Sequence, residues 1–407
     1  MKIAVLNRVF SPQGGGAERY SIALVEQLSH RHEIHVFAQD IAPSLRVQWP
    51  QVRFHRVSAP LRKSRWLNQL WYATATWWAT RNGSGAGFDV VHSHENTWHG
   101  QVQTVHVLPI KHNLFNGKTG WRRAATWLNV LTSPRVLAYL ALERGRFAVQ
   151  PNRHIVLTSP SLLAIFRATY PACSNVLSVI TPGVVKTVAT HPVRTEPVEV
   201  IMNPSTSSGR TDIKVEARRT LGLPAQGWTI AFVGNDYEKK GLPTLLQALK
   251  TLPEHVNLAV VGNQAQMHVY QKLANQLGLE SRVRFLGAVA DVSNVYQSAD
   301  CLAHPTREDT FAMVVLEALS YGLPVVVSQA RYCGIAGLLT DGQNVLILDD
   351  PKNAAALAAL LRSILDNPDL QARLSRQALA FADDYAWEAI ARQQEAMYLG
   401  IAGKLKK

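Results

Sequence analysis

Two α/β domains, each built on a doubly wound and mostly parallel sheet, are predicted for this 407-residue chain on three observations. Apolar runs of strand length alternate with helical patterns through the first half. The same alternation resumes in the second half without repeating any sequence, and a stretch with almost no periodicity separates the two. The length suffices for two domains of ordinary size, each with its own core.

In chain order, KIAVLN, EIHVFAQ, VRFHRVS, FDVVHSH, GQVQTVHV and HIVLTSP read as strands of the first domain, residues 1–186, and ERYSIALVEQLSHR reads as its first crossover helix. The second domain, residues 214–382, contributes WTIAFVGN, NLAVVGN, VRFLGA, DCLAHPT, LPVVVS and VLILDD as strands. Helices such as LPTLLQALKTL, QMHVYQKLANQLGL and AAALAALLRSILD separate them. Residues 187–213, which carry VATHPVRTEPVEVIMNPSTSSGRTD, hold too little apolar surface to order themselves, and an inserted mobile linker is expected. A last helical pattern, DDYAWEAIARQQEAMYLGIAGKLKK, occupies residues 383–407.

No apolar run reaches the roughly 18 to 20 residues that cross a bilayer, and MKIAVLNRVFSP lacks both the length and the cleavage site of a secretion signal, so a cytoplasmic location is expected. Cys173, Cys301 and Cys333 are scattered, which indicates neither a disulfide framework nor a zinc site. A net charge of +13 calls for an anionic partner: nucleic acid, an anionic membrane face or a phosphorylated substrate. The distribution narrows this. Arg62, Lys63 and Arg65 precede WLNQLWYATATWW, and Lys111, Lys118, Arg122 and Arg123 are interleaved with Phe115, Trp121 and Trp127. Cations mixed with Trp and Tyr suit the headgroup level of a membrane; they equally suit buried tryptophans ringed by solvated cations.

The most informative stretch is residues 304–319, HPTREDTFAMVVLEAL, followed by SYGLPVVVS. An apolar strand ends in a polar turn, and a segment of helical composition follows, so a helix is expected to begin just after Asp309. Amides at a helix start lack intrahelical partners and carry the positive end of the peptide dipoles. Those of Phe311, Ala312, Met313, Val314 and Val315 therefore form a place to hold a diphosphate. Glu317 lies about one turn deeper, where a carboxylate accepts from the vicinal hydroxyls of a ribose. This segment resembles the E-x7-E element of the retaining GT-B glycosyltransferases of family four, with Glu317 as the ribose carboxylate. One departure stands out: the residue eight positions before Glu317 is Asp309, with Glu308 beside it, so the sugar-contacting group is either of these two.

Gly14, Gly15 and Gly16 lie between the first strand and its helix, where glycine lets backbone approach a ligand closely. They are not a dinucleotide fingerprint, because Arg19 takes the third glycine position. They resemble the family's N-terminal glycine loop. In GNDYEKKG, Lys239 and Lys240 stand just before a helix, an unfavourable place for cations unless an anion is present, and two cations there can neutralise the charge that grows on a departing nucleoside diphosphate. The segment resembles the family's G-x5-K-G element, with Gly234 at the close approach and Lys240 as the phosphate cation. His106 and His94 end apolar runs; His106 resembles the histidine that faces the donor sugar, and His94, Glu95 and Asn96 the acceptor-side region. His92 is expected on the opposite side of its strand, in a structural role. Gly262 and Gly287 end strands that flank the base.

The resemblance implies a GT-B fold, two Rossmann-like domains facing across a cleft, with the final helix packing back on the first domain and Trp387 as its anchor. It implies transfer of a sugar, as from a UDP-hexose, to a cell-envelope glycan or lipid-linked acceptor. GNDYEKKG, HPTRED and VVLEALSYGLPVVVS resemble the lipopolysaccharide-core glucosyltransferases of the glucosyltransferase I type. Catalysis is assigned to Asp309, Glu308, His106 and Lys240. No D-x-D ends an apolar strand, so no metal and no cofactor is expected, the nucleotide-sugar being a co-substrate. The expected partners are that donor, the acceptor and, peripherally, the anionic inner membrane face, with no nucleic acid. A nucleotide-sugar epimerase of the same fold and a basic nucleic-acid-binding protein are the rival readings.

Overall fold

The apolar runs form strands, and every pairing among them is parallel. In this computed structural model the described residues are 1–12, 14–82, 87–185, 205–289 and 291–405. The chain divides into two units, Met1–Gly183 with Trp387–Lys407, and Val184–Ala386.

The first unit contains β1 (Lys2–Leu6), β2 (Val9–Phe10), β3 (Glu33–Ala38), β4 (Asp40–Ile41), β5 (Arg53–Arg56), β6 (Val90–Ser93), β7 (Val102–Val105), β8 (His154–Leu157) and β9 (Leu177–Val179). Seven of these make one sheet, ordered β5-β3-β1-β6-β7-β8-β9, while β2 and β4 form a two-stranded ribbon. Three-residue β9 was too short to leave a pattern in the sequence. The helix Trp387–Leu405 belongs to this unit: the Trp387 ring packs edge-on to Tyr20 at 5.4 Å, and Tyr398 bonds to His92.

The second unit contains β10 (Trp228–Val233), β11 (Val256–Val261), β12 (Val283–Gly287), β13 (Cys301–His304), β14 (Val325–Ser328) and β15 (Leu346–Leu348), ordered β12-β11-β10-β13-β14-β15. All six residues of β10 are buried, because helices cover both faces of the sheet. Period two sorts its side chains: Ile230 and Phe232 join Leu245, Leu249 and Leu258, whereas Ala231 and Val233 join Leu302, Leu316 and Leu319. Each fully buried side chain of this kind contributes about 1.5–3 kcal/mol.

In both sheets the strand order reverses next to the first strand, between β1 and β6 and between β10 and β13. Chains leaving such neighbours diverge to opposite faces, which opens a crevice at their carboxyl ends.

The expected linker needs correction at its far end. Residues 187–204 lie outside the described residues, but the helix Ser205–Leu221 begins inside the remainder. Tertiary contacts hold it where composition predicted none: Lys214 and Arg218 both pair with Asp300, and Arg218 donates to the Ser298 carbonyl at 3.0 Å.

Candidate active site

The β10–β13 crevice brings two sequence-predicted loops together. Beyond β10 the chain turns at Gly234, where a Cβ would lie 2.8 Å from the Lys240 Cγ; glycine leaves the lysine stem its path. Lys240 Nζ then reaches Asp309 Oδ2 at 2.5 Å and the Glu308 carbonyl at 3.3 Å. Lys239 pairs with Glu308 at 2.8 Å, Arg307 pairs with Glu238, and the Arg307 amide donates to the Lys239 carbonyl at 2.8 Å. The lysine loop and the carboxylate loop are thus clasped along their length.

Between the two candidate sugar contacts, Asp309 is the one turned inward. Its side chain is 16% exposed, against 47% for Glu308. Burial alone raises a carboxyl pKa, but His304 at 3.3 Å and the Lys240 ammonium outweigh it, and Asp309 is held well below the usual carboxylate range. Burial in turn lowers His304, an effect that Asp309 opposes.

Asp309 also changes the expected diphosphate cradle. Its Oδ1 accepts from the Ala312 amide at 2.9 Å and the Phe311 amide at 3.3 Å, and the Val315 amide donates to the Ala312 carbonyl at 3.0 Å. The helix is Met313–Ser320, so it starts three residues later than the sequence predicts, after Ala312 in a left-handed conformation (φ +74°). Met313 and Val314 supply its leading amides, which by position have no intrahelical partner. The physical reason is the short carboxylate: one methylene fewer lets Asp309 fold back over its own turn.

Glu317 lies one turn inside this helix and accepts a 2.8 Å hydrogen bond from the hydroxyl of Tyr296, a residue 2% exposed. The Tyr321 ring flanks Tyr296 at 5.5 Å and its hydroxyl donates to Ser293 at 2.7 Å. Sequence reasoning missed both tyrosines, because the helix Ser293–Ser298 that carries Tyr296 shows no motif.

In the first unit, Gly14 and Gly15 precede the helix Gly16–Leu28, of which Gly16 is the first residue: Gly15 caps the helix and the Gly14 amide donates to the Ser11 carbonyl at 3.0 Å. Glu95 is committed to Arg8, accepting from its amide at 3.1 Å, and Asn96 accepts from Gln69 through its carbonyl. His94 Nδ1 and His106 Nε2 share a 3.0 Å hydrogen bond, and Tyr20 packs on both rings. His92 corrects the sequence reading: its ring lies 4.2 Å from that of His94, on the same side, since residues two apart on a strand share a face. Its nitrogens bond to Tyr398 and Thr104, so its role is structural, as expected. Burial lowers all three imidazoles, His92 and His106 to about 3 and His94 well below its ordinary value. Such rings stay neutral near pH 7 and offer hydrogen bonds, not protons.

Two doubly wound parallel units, with lysines and a helix start at the switch point of the second, define the GT-B class of glycosyltransferase fold. Residues 14–188 match the Glycosyltransferase Family 4 model and residues 214–381 the Glycosyl transferases group 1 model, so the chain carries one domain of each of these two families. The D-inositol 3-phosphate glycosyltransferase of Corynebacterium efficiens is 33% identical over 195 residues, which are 45% of each chain. The lipopolysaccharide glucosyltransferase WaaG of Escherichia coli strain K12 is 27% identical over 256 residues, 62% of this chain and 63% of that one. The matched part is thus about half to two thirds of those relatives' own length. A crystal structure of WaaG, a glycosyltransferase involved in lipopolysaccharide biosynthesis, shares the fold with a TM-score of 0.75 at 22% identity, over 98% of this chain and 100% of that one. Anabaena HepE in complex with UDP-glucose does so with a TM-score of 0.71 at 19% identity, over 100% and 99%.

Proposed function

We propose that this chain transfers a hexose from a UDP-hexose, with retention of anomeric configuration, to a cell-envelope glycan or lipid-linked acceptor such as the lipopolysaccharide core. The observation that carries the reading is the convergence of Lys240, Asp309 and the start of the Met313–Ser320 helix at the β10–β13 switch point, with Glu317 one turn deeper. In this reading Lys240 and the leading amides of Met313 and Val314 neutralise the charge that grows on the departing diphosphate. Glu317, braced by Tyr296, accepts from the ribose hydroxyls, while Asp309 or Glu308 orients the sugar. The UDP-glucose held by HepE and the glucosyl transfer in the name of WaaG support the choice of donor.

A melting scan against nucleotide-sugars tests this. Binding to the native state raises apparent stability by mass action, so UDP-hexoses are expected to raise Tm, and Glu317→Ala to weaken that binding by about 1–3 kcal/mol. Unchanged affinity in the variant would count against the ribose contact, and conversion of donor alone to its epimer would establish an epimerase instead. Because lysine and amides carry the positive charge, 5–10 equivalents of EDTA are expected to leave turnover unchanged to within about twofold. Activity restored only by added Mg²⁺ or Mn²⁺ would contradict that account.

The membrane contact we place on the helix Gly120–Thr132. Only Thr126 and Val130 of it are buried, whereas Trp121 is 76%, Leu128 65% and Leu131 64% exposed, beside Arg122 and Arg123. Among the described residues no helix is long and apolar enough to cross a membrane, so this face suits surface attachment. Co-sedimentation with vesicles rich in phosphatidylglycerol is expected, weakened about 30-fold or more by Arg122→Glu with Arg123→Glu, at about 1 kcal/mol per basic residue. Equal binding to neutral vesicles would rule out the charge-driven part.

A further inference from the structure

The first unit contains a cavity of about 640 Å³ that no motif led to. It opens at the carboxyl ends of β3 and β5 and beside the end of β2, and Ser11, Gln39, Asp40, Pro43, Arg46 and Arg56 line it. Its size is that of a site for a mono- or disaccharide. Its charge is specific. Asp40 is neutralised by Arg62 at 2.5 Å, outside the lining, which leaves the guanidinium groups of Arg46 and Arg56 as the cavity's uncompensated charge. Among the described residues neither of the two is ion-paired. Arg46 lies over the Phe54 ring at 5.9 Å, and Phe54 packs in turn on Phe10 at 6.1 Å.

Two like charges in one concavity repel each other and focus a positive potential into it. That cost is relieved when an anion binds between them, and the planar fork of arginine matches the oxygens of a phosphate in bidentate fashion. The position at a sheet's carboxyl edge is where open α/β sheets bind ligands. We propose that this cavity is a binding site for a phosphate-bearing sugar, taken as part of the acceptor glycan. The inference rests on the glycosyl-transfer reading for its word acceptor, but the site itself lies wholly within the first unit and shares no lining residue with the proposed donor site.

The test uses the full chain, with binding measured calorimetrically at matched ionic strength for glucose 6-phosphate, glucose, inorganic phosphate and UDP. Glucose 6-phosphate is expected to bind more tightly than either glucose or inorganic phosphate, and Arg46→Gln with Arg56→Gln to weaken it about tenfold or more while UDP binding stays unchanged. Both arginines are exposed, and a melting curve equal to that of the parent chain shows that the variant is folded. Equal affinity of the variant and the parent chain, or no preference for the sugar phosphate over glucose, overturns the site. Inorganic phosphate binding as tightly as the sugar phosphate overturns the sugar part. Failure of UDP to bind the parent chain strikes the donor reading alone, so the two hypotheses fail separately.

Discussion

Lys240→Ala is expected to lower kcat for hexose transfer about 100-fold, equivalent to about 2.7 kcal/mol of transition-state stabilisation. The Lys240 side chain is 20% exposed and its ammonium contacts Asp309 and the Glu308 carbonyl, so the protein rather than solvent sets its position. A fixed cation needs no reorganisation as charge builds on the leaving diphosphate, which is why its loss is felt in turnover more than in donor affinity. The unit is expected to remain folded, because Asp309 keeps His304 and the amides of Phe311 and Ala312 as donors. Steady-state kinetics with UDP-hexose, beside a melting curve, check this; a kcat within threefold of the parent chain would remove Lys240 from the reaction.

A large loss of stability is expected from Gly241→Ala, about 3 kcal/mol or more for the second unit. Gly241 caps the helix Leu242–Thr251 with φ +83°, and a Cβ there would stand 2.0 Å from the Pro305 carbonyl oxygen. Neither loop has room to yield: the Lys239 carbonyl accepts from the Arg307 amide and from Thr306, and three ion pairs flank the junction. Urea unfolding measures the loss. A midpoint equal to that of the parent chain would mean that the lysine loop and the Pro305 loop do not meet.

Much of this was legible from the chain alone. Parallel strands buried on both faces leave continuous apolar runs such as WTIAFV, and those located the strands, whereas their order and the two switch points came from the structure. Lys240, Glu317 and the pair Glu308 and Asp309 were singled out because their segments resemble the family's G-x5-K-G and E-x7-E elements. What stayed hidden depends on side chains from elements distant in sequence. The carboxylate of Asp309 bonds its own turn, Tyr296 arrives from a motif-free helix, and the arginine cavity gathers residues from 11 to 56. The helix Ser205–Leu221 was missed because composition does not report that Asp300 waits for Lys214 and Arg218. His92 was misplaced by a parity slip, and its true neighbours, Thr104 and Tyr398, come from a different strand and from the final helix.

That final helix imposes an order on synthesis. A ribosome completes all of Val184–Ala386 before it releases Trp387, so the second unit has its whole sequence while the first still lacks a wall. Until the last segment arrives, Tyr20 and His92 face water or a chaperone where Trp387 and Tyr398 will later stand. The half of the protein that is made first therefore cannot complete its packing until the last helix is made.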